Sequence, residues 1–217
     1  MIKRFQEIKG RYIEKINGQD RLAYCHSDTN DFYDLFERAK DGEYQGSVIS
    51  FYDFETGKVY TPFDIKHNTL YSNPVYAEGY YYFLQGDYDR KKVVLYRFRP
   101  ENELETVVEL STDEVNLYNL YLLGDPVYVV SQGERFECYY PDRISFPKEP
   151  NESAALIEDG KIYFEAWVEE GWDEEKWQAT QDYRLYNKIV IRDFAGNLIS
   201  EELGALYQAA DDTWWIT

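Results

Sequence analysis

The stretch SNPVYAEGYYYFLQGDYDRKKVVLYRFRPENELETVVEL, residues 72–110, contains four extended runs separated by turn residues. The first run, residues 74–76, ends before Gly79, which supplies the positive φ that a tight turn needs. Residues 80–84 form an aromatic-rich second run, as is typical of half-buried strands. Residues 92–99 and 104–110 complete the set. The stretch therefore predicts a four-stranded antiparallel unit.

Alternation within the third run predicts which side chains share a face of the sheet. Val94, Tyr96 and Phe98 fall on one face, and the other face carries Val93, Leu95, Arg97 and Arg99. Since one twisted sheet cannot bury both faces by itself, we expect this sheet to have a neighbour on each side. The tripeptide Gln85-Gly86-Asp87 is interpreted as the turn that ends the second run.

Parts of this unit recur along the whole chain. The third run returns as FYDF at residues 51–54, LYRF at 95–98 and IRDF at 191–194, each followed by turn residues. The second run returns five times, and its central aromatic residues lie about 48 residues apart on average: Tyr24, Tyr82, Tyr128, Tyr163 and Trp215. A period of about 40–50 residues with four strands per repeat is typical of a propeller blade.

On these segments the chain resembles the β-propeller superfold, and five-bladed propellers in particular, over essentially its full length. The resemblance implies an all-β fold and a single domain, residues 1–217, without identifying a specific family. Residues 213–216 belong to a last unit with only two strands, whereas residues 2–8 precede the first unit and have no partner of their own. We therefore expect residues 2–8 to pair with residues 213–216 and close the last blade. Trp214 and Trp215 are expected in the core.

Composition limits the possible partners and compartment. The chain has 41 acidic and 23 basic residues and a formal net charge of −18. Such a field repels phosphate backbones and anionic lipids, which disfavours nucleic acid and membrane partners. The first residues contain no apolar signal segment, which favours a cytoplasmic location. Cys25 and Cys138 fall in non-adjacent blades, so both are expected to stay reduced.

Two insertions interrupt the repeat, each between the second and third strands of its unit. The first contains an amphipathic helix at residues 31–40, with Asn30 or Asp28 expected as its N-cap and Gly42 at its end. The second, residues 169–187, carries several aromatic residues among acidic ones. Since both insertions interrupt the same kind of connection, we expect them to rise on one side of the disc.

No catalytic, phosphate-binding or dinucleotide-binding motif occurs in the sequence, so catalytic residues stay unknown. Two histidines, His26 and His67, are too few for a histidine-rich metal centre. The run of residues 28–31 resembles part of a calcium loop but lacks the glycine and the distal Glu, and helix capping explains it. We therefore expect no metal ion and no cofactor.

These observations favour a non-enzymatic binding module that holds a protein, peptide or glycan between the insertions. Rigid aromatic residues on one side and polar groups on the other are typical of ligand sites. The predicted site comprises Trp172, Trp177, Tyr183, His26, Asp31 and Asp34.

An alternative follows from the resemblance, since five-bladed propellers include glycoside hydrolases. That function would be a small carbohydrate-active hydrolase with carboxylates at the channel mouth. Glu14, Glu158 and Asp159 are the available candidates. Buried, convergent carboxylates would favour the enzyme, and an aromatic platform would favour binding.

Overall fold

A computed structural model describes residues 1–42, 44–101, 103–209, 211 and 213–217. Its only described helix is α1 (Phe32–Lys40). The described part of the chain has no helix of the length and hydropathy that crossing a membrane requires. The first sheet has the order β1 (Glu14–Lys15), β2 (Leu22–His26), β3 (Ile49–Asp53) and β4 (Val59–Tyr60). In the chain, helix α1 comes between the second and third strands of this sheet.

Four further antiparallel sheets follow in chain order. The second contains β5 (Thr69–Tyr71), β6 (Val75–Ala77), β7 (Tyr80–Asp87), β8 (Lys92–Arg99) and β9 (Glu103–Ser111), with β5 and β6 both paired to β7. The third contains β10 (Leu120–Leu123), β11 (Tyr128–Gln132), β12 (Arg135–Tyr140) and β13 (Ile144–Pro147). The fourth contains β14 (Glu152–Glu158), β15 (Lys161–Asp173), β16 (Gln178–Asp193) and β17 (Leu198–Leu203), and the fifth contains β18 (Leu206–Gln208) and β19 (Trp214–Ile216). The all-β prediction is confirmed.

The turn between β6 and β7 shows why the local sequence forms a hairpin. Glu78 and Gly79 both have positive φ, 50° and 81°. This is the backbone combination of a tight turn whose twist matches that of its strands. The adjoining residues pair in register, Ala77 with Tyr80 and Val75 with Tyr82.

Strand β7 does not end at Gln85-Gly86-Asp87, contrary to the sequence interpretation, but continues through Asp87. The reason lies in helix α1, which packs on this strand. A Cβ atom built on Gly86 would lie 2.8 Å from Cδ1 of Phe32 and 3.1 Å from Cδ2 of Leu35. Gly86 therefore marks a close approach of the helix to the strand and not a turn.

Neighbouring sheets pack face to face in the order of the chain. Phe51 from the first sheet contacts Phe83 and Phe98 from the second, with ring centroids 5.7 and 5.0 Å apart. The opposite face of the second sheet, including Leu95, shares a buried cluster with Val129 of the third. The predicted alternation of β8 is thus confirmed, since Tyr96 and Phe98 face the first sheet and Leu95 faces the third.

The third and fourth sheets share another buried cluster, in which the rings of Phe136 and Phe164 are 5.6 Å apart. The fifth sheet joins its neighbours through polar contacts. The backbone N–H of Leu206 donates to Oε1 of Glu165 in the fourth sheet at 2.6 Å. On the other side, Nδ2 of Asn17 donates to Oε1 of Gln208 at 2.8 Å, which links the first and fifth sheets.

A cavity of about 370 Å³, here called the axial cavity, touches all five sheets. Its walls come from one edge strand of each of the first four sheets or the residues beside it, and from both strands of the fifth. Representative lining residues are Ile16, Val75, Leu123, Leu156 and Gln208.

The predicted strand at residues 2–8 is wrong. These residues form no strand, and the N–H of Gln6 donates instead to the carbonyl of Gly57 in the first sheet at 2.8 Å. The ring of Phe5 lies 5.1 Å from Tyr52 and 5.5 Å from Phe54, centroid to centroid. An aromatic surface on the first sheet thus holds this segment away from residues 213–216.

The fifth sheet consequently has two strands within the described residues. The side chain of Trp215 is 62% exposed, and Trp214 is half-buried. The expectation that both tryptophans lie in the core is wrong, because no described outer strand covers them.

Both cysteines are buried and unpaired, as predicted. Cys25 lies in β2, where its Sγ is 3.7 Å from the hydroxyl of Tyr52. Cys138 lies in β12, and burial raises the pKa of its thiol to about 11.

Candidate functional site

The first insertion packs against the second sheet through helix α1. Its N-cap is Asp31, whose carboxylate accepts the N–H of Tyr33 at 2.8 Å, so the expected caps Asn30 and Asp28 are wrong. Gly42 follows the C-cap with a φ of +72°, which confirms it as the end of the helix. Phe32 and Leu35 are buried against the second and third sheets.

The three polar residues predicted for the site make local contacts. Nε2 of His26 lies 3.1 Å from the carbonyl oxygen of Ser72, and burial lowers the pKa of this histidine. Asp31 caps the helix, and the exposed Asp34 is 3.9 Å from Arg38 one turn later. All these contacts lie within the first insertion or between it and the second sheet.

The second insertion is a continuation of two strands and not a separate loop. Strands β15 and β16 pair far beyond their neighbours, since β14 reaches only Ala166 and β17 reaches only Lys188. Residues 167–187 therefore form a two-stranded antiparallel projection, here called the ribbon. Seven β15 residues at about 3.3 Å each give it a length of roughly 20 Å.

One face of the ribbon carries large apolar side chains that are open to solvent. Glu169 pairs with Leu185 and Trp167 pairs with Asn187, so Trp167, Leu185 and Tyr183 share this face with Glu169 and Asn187. The ring of Trp172 packs against Tyr183 with centroids 6.1 Å apart. Trp167 is 55% exposed and Leu185 is 63% exposed. We call these four residues, Trp167, Trp172, Tyr183 and Leu185, the apolar face.

Internal hydrogen bonds hold the aromatic side chains in place. The hydroxyl of Tyr183 donates to Glu169 at 2.9 Å, and this bond raises the pKa of the tyrosine. Gly171 has a φ of +73°, and a Cβ there would lie 2.8 Å from the backbone of Asp182. This glycine permits an irregular bulge in which residues 180–183 oppose Gly171 alone, and Tyr183 lies beside Trp172.

The ribbon tip and its flanks are acidic. Trp177, in the tip turn, is 82% exposed. Within residues 167–187 six carboxylates stand against two cations: Glu169, Glu170, Asp173, Glu174, Glu175 and Asp182 against Lys176 and Arg184. The apolar face is therefore bordered by negative charge.

Of the predicted site residues, Trp172 and Tyr183 lie together, and Trp177 lies at the tip of the same ribbon. The contacts described for His26, Asp31 and Asp34 do not join them to these aromatic residues. The shared groove between the insertions therefore stays a prediction.

Sequence reasoning missed two members of the apolar face, Trp167 and Leu185. Their signal is the alternation that continues from the paired strands into the insertion. The predicted insertion begins at Glu169 and is interpreted as a loop, so the alternation is not followed through it and Trp167 falls outside it.

A second cavity, of about 580 Å³, lies beside the start of helix α1. Residues from the first insertion and from the second, third and fourth sheets line it, among them Asn30, Asn73, Gln132 and Ser153. It shares Val75 and Leu122 with the axial cavity, so we call it the mouth cavity.

The carboxylates near the axial cavity, Asp125 and Glu158, are exposed to solvent. Glu14 accepts a hydrogen bond from the hydroxyl of Tyr24 at 3.0 Å. Three buried carboxylates each pair with a cation: Asp53 with Arg21, Asp87 with Lys66 and Glu152 with Arg192. These features give no specific support to the hydrolase alternative.

Across the residues that the structure describes, no group of three or more His, Cys, Asp or Glu side chains is placed to hold a metal ion. Comparison of the chain with protein-family models, with curated proteins and with solved structures gave no match in any of the three.

Proposed function

We propose that this chain is a non-enzymatic binding module, built as a five-bladed β-propeller, that holds a polypeptide partner on the apolar face of its ribbon. The propeller architecture has three supports. Successive sheets are antiparallel, the first four pack on one another in chain order, and residues from all five line the axial cavity. The hydrogen bond from Asn17 to Gln208 joins the first sheet to the last. The ring then closes through side chains and not through residues 2–8.

The observation that carries the binding function is the apolar face itself. Large hydrophobic side chains that share one exposed face mark an interaction surface more strongly than scattered ones do. Tryptophan and tyrosine also contribute most to binding when a partner removes them from water. At the base of the ribbon, Asn151 and Gly204 donate to the carbonyls of Trp167 and Asn187. Farther out, no strand of the described chain pairs with the edges of the ribbon.

The shape and charge of the ribbon define the partner. A flat apolar strip with open strand edges fits an extended polypeptide, which can pair with an edge and pack alternate side chains on the strip. The six carboxylates of the ribbon select a basic segment and disfavour an acidic one. Of protein, peptide and glycan ligands, the ribbon therefore favours a basic, apolar polypeptide.

The test is a binding assay with fluorescent peptides of about eight residues, roughly the length of the ribbon. One set alternates Lys or Arg with Val, Leu or Phe, and a matched set replaces the cations with Glu. We expect saturable binding of basic peptides that weakens with added salt. Trp172→Ala and Trp177→Ala should each weaken it by about tenfold.

Two controls separate binding from folding. Tyr12→Ala removes an aromatic side chain that is 98% exposed outside the ribbon, and it should leave affinity unchanged. Replacing residues 168–186 by Asn-Gly should preserve the melting temperature and abolish binding. Equal binding of acidic and basic peptides, or full binding by the shortened variant, would refute the proposal.

A further inference from the structure

The mouth cavity has an unusual composition for this protein. Charged residues make up 29% of the chain, yet Asp31 is the only charged residue among the 14 that line this cavity. Seven other lining residues carry neutral amides or hydroxyls: Asn30, Ser72, Asn73, Asn119, Tyr121, Gln132 and Ser153. Apolar side chains such as Val75 and Leu120 form the rest of the wall.

Each of the four amides is anchored by one hydrogen bond. Nδ2 of Asn30 donates to Oδ1 of Asn73 at 2.7 Å. Nδ2 of Asn119 donates to the carbonyl of Gln132 at 3.1 Å, and Oε1 of Gln132 accepts the N–H of Ala154 at 2.9 Å. These bonds orient the side chains, of which Asn30, Asn73 and Asn119 are exposed and Gln132 is half-buried.

The other polar atom of each amide makes no hydrogen bond to the part of the chain that the structure describes. Two of these atoms are acceptors, Oδ1 of Asn30 and of Asn119, and two are donors, Nδ2 of Asn73 and Nε2 of Gln132. A hydroxyl group both donates and accepts, so a ligand with several hydroxyls matches this mixed set. The apolar wall suits the C–H surface of a sugar ring.

We propose that the mouth cavity binds a neutral saccharide. Its volume of about 580 Å³ falls within the roughly 300–1,000 Å³ of small-molecule sites. No cation lines the cavity to balance an anionic ligand, and Asp31 repels one. The site shares no residue with the ribbon. Saccharide binding is therefore an addition to the proposed function and is tested independently of it.

The experiment titrates a panel of neutral mono- and trisaccharides into the protein and measures binding by saturation-transfer NMR and calorimetry. Uronic acids and sugar phosphates of the same ring size serve as charged counterparts. We expect saturable binding of at least one neutral saccharide. We also expect its charged counterpart to bind about tenfold more weakly or not at all.

Two near-isosteric variants test the donors. Asn73→Asp and Gln132→Glu keep the oxygens that accept from Asn30 and Ala154 but replace the free donors, so each should weaken binding by about tenfold. Asn119→Gly tests an acceptor while tolerating the φ of 48° at that position. Melting temperatures within a few degrees of wild type would show that the variants are folded.

Asn187→Ala removes an exposed amide outside the cavity, and Trp172→Ala alters the ribbon. Both should bind saccharide as the wild type does. The proposal is overturned if no neutral saccharide binds, if charged counterparts bind equally well, or if the folded cavity variants retain full affinity. None of these results tests the proposal that the ribbon binds a peptide.

Discussion

At the residue scale, an aspartate performs the same task in several hairpins. Oδ1 of Asp53 accepts the N–H groups of Glu55 and Thr56, at 2.8 and 3.1 Å. Oδ1 of Asp193 accepts those of Ala195 and Asn197, at 2.9 and 2.8 Å. The repeated Asp-Phe pair in the sequence thus reflects turn formation, in which a side chain satisfies backbone donors.

Asp53 also has a specific ionic environment. Burial by itself raises the pKa of this carboxyl, but the hydrogen bonds from Arg21 and from the N–H groups of Thr56 and Glu55 outweigh burial and leave the pKa below its usual range. The nearest Arg21–Asp53 contact is 2.8 Å. A lowered folded-state pKa contributes stability above the unfolded-state pKa, and this stability is lost as the pH falls.

We predict that Asp53→Asn lowers the free energy of unfolding at pH 7 by about 1–3 kcal/mol, because it removes the charge that Arg21 and the turn donors stabilise. The deficit should begin to shrink below about pH 4, the pKa of the carboxyl in the unfolded state, and disappear as the pH falls through the lower pKa of the folded state. Urea denaturation at pH 7 and pH 3 measures both values. Asp193→Asn, at a more exposed carboxylate in the same kind of turn, should cost less than Asp53→Asn. A deficit independent of pH would contradict this account.

At the element scale, the two insertions have opposite relations to the sheets. Helix α1 lies close to β7 and buries Leu35 completely. The ribbon leaves its sheet and exposes its large side chains. The helix therefore completes the core, whereas the ribbon offers a surface to a partner.

We predict that Gly86→Ala destabilises the protein by about 1–3 kcal/mol, because the new methyl group overlaps Phe32 and Leu35 and pushes helix α1 away from β7. Thermal unfolding and hydrogen exchange in residues 32–40 report the loss and its location. Gly133→Ala is a matched control, since a Cβ there meets its nearest neighbour at 3.7 Å without clash. Equal stability of the two variants would show that α1 does not require the close approach.

At the scale of the whole molecule, the first and last segments have different partners from those expected. Phe5 and Gln6 attach the first segment to the β3–β4 hairpin. The fifth sheet contacts its neighbours through Glu165 and Gln208. The proposed ring therefore has its weakest packing at the fifth sheet, where no large buried cluster of described residues joins it to the first.

We predict that removing residues 1–9 costs about 1–2 kcal/mol, the scale of losing one partly buried aromatic contact surface. The loss should appear as faster hydrogen exchange in residues 53–60, while exchange in residues 206–216 stays unchanged. A matched variant, Phe5→Ala, should reproduce most of the effect. Faster exchange confined to residues 206–216 would contradict this account and support the predicted pairing of residues 2–8 with the last strands.

The sequence by itself determined the strand class, most of the strand positions, the helix in the first insertion and the unpaired cysteines. These depend on local periodicity and turn chemistry, as in residues 92–99, where alternation predicts both the strand and its two faces. Reliance on local sequence also explains why the end of β7 at Gly86 is predicted wrongly. A glycine that admits a neighbouring helix has the same local sequence as a glycine in a turn.

Only the tertiary structure decided where Phe5 packs, how far β15 and β16 extend, and which side chains meet in the mouth cavity. Asn30 and Gln132 lie about 100 residues apart in the chain, yet both line that cavity. Such neighbours are selected by the packing of whole sheets, since contact free energy depends on surfaces that form only when distant segments meet. No local pattern records that selection.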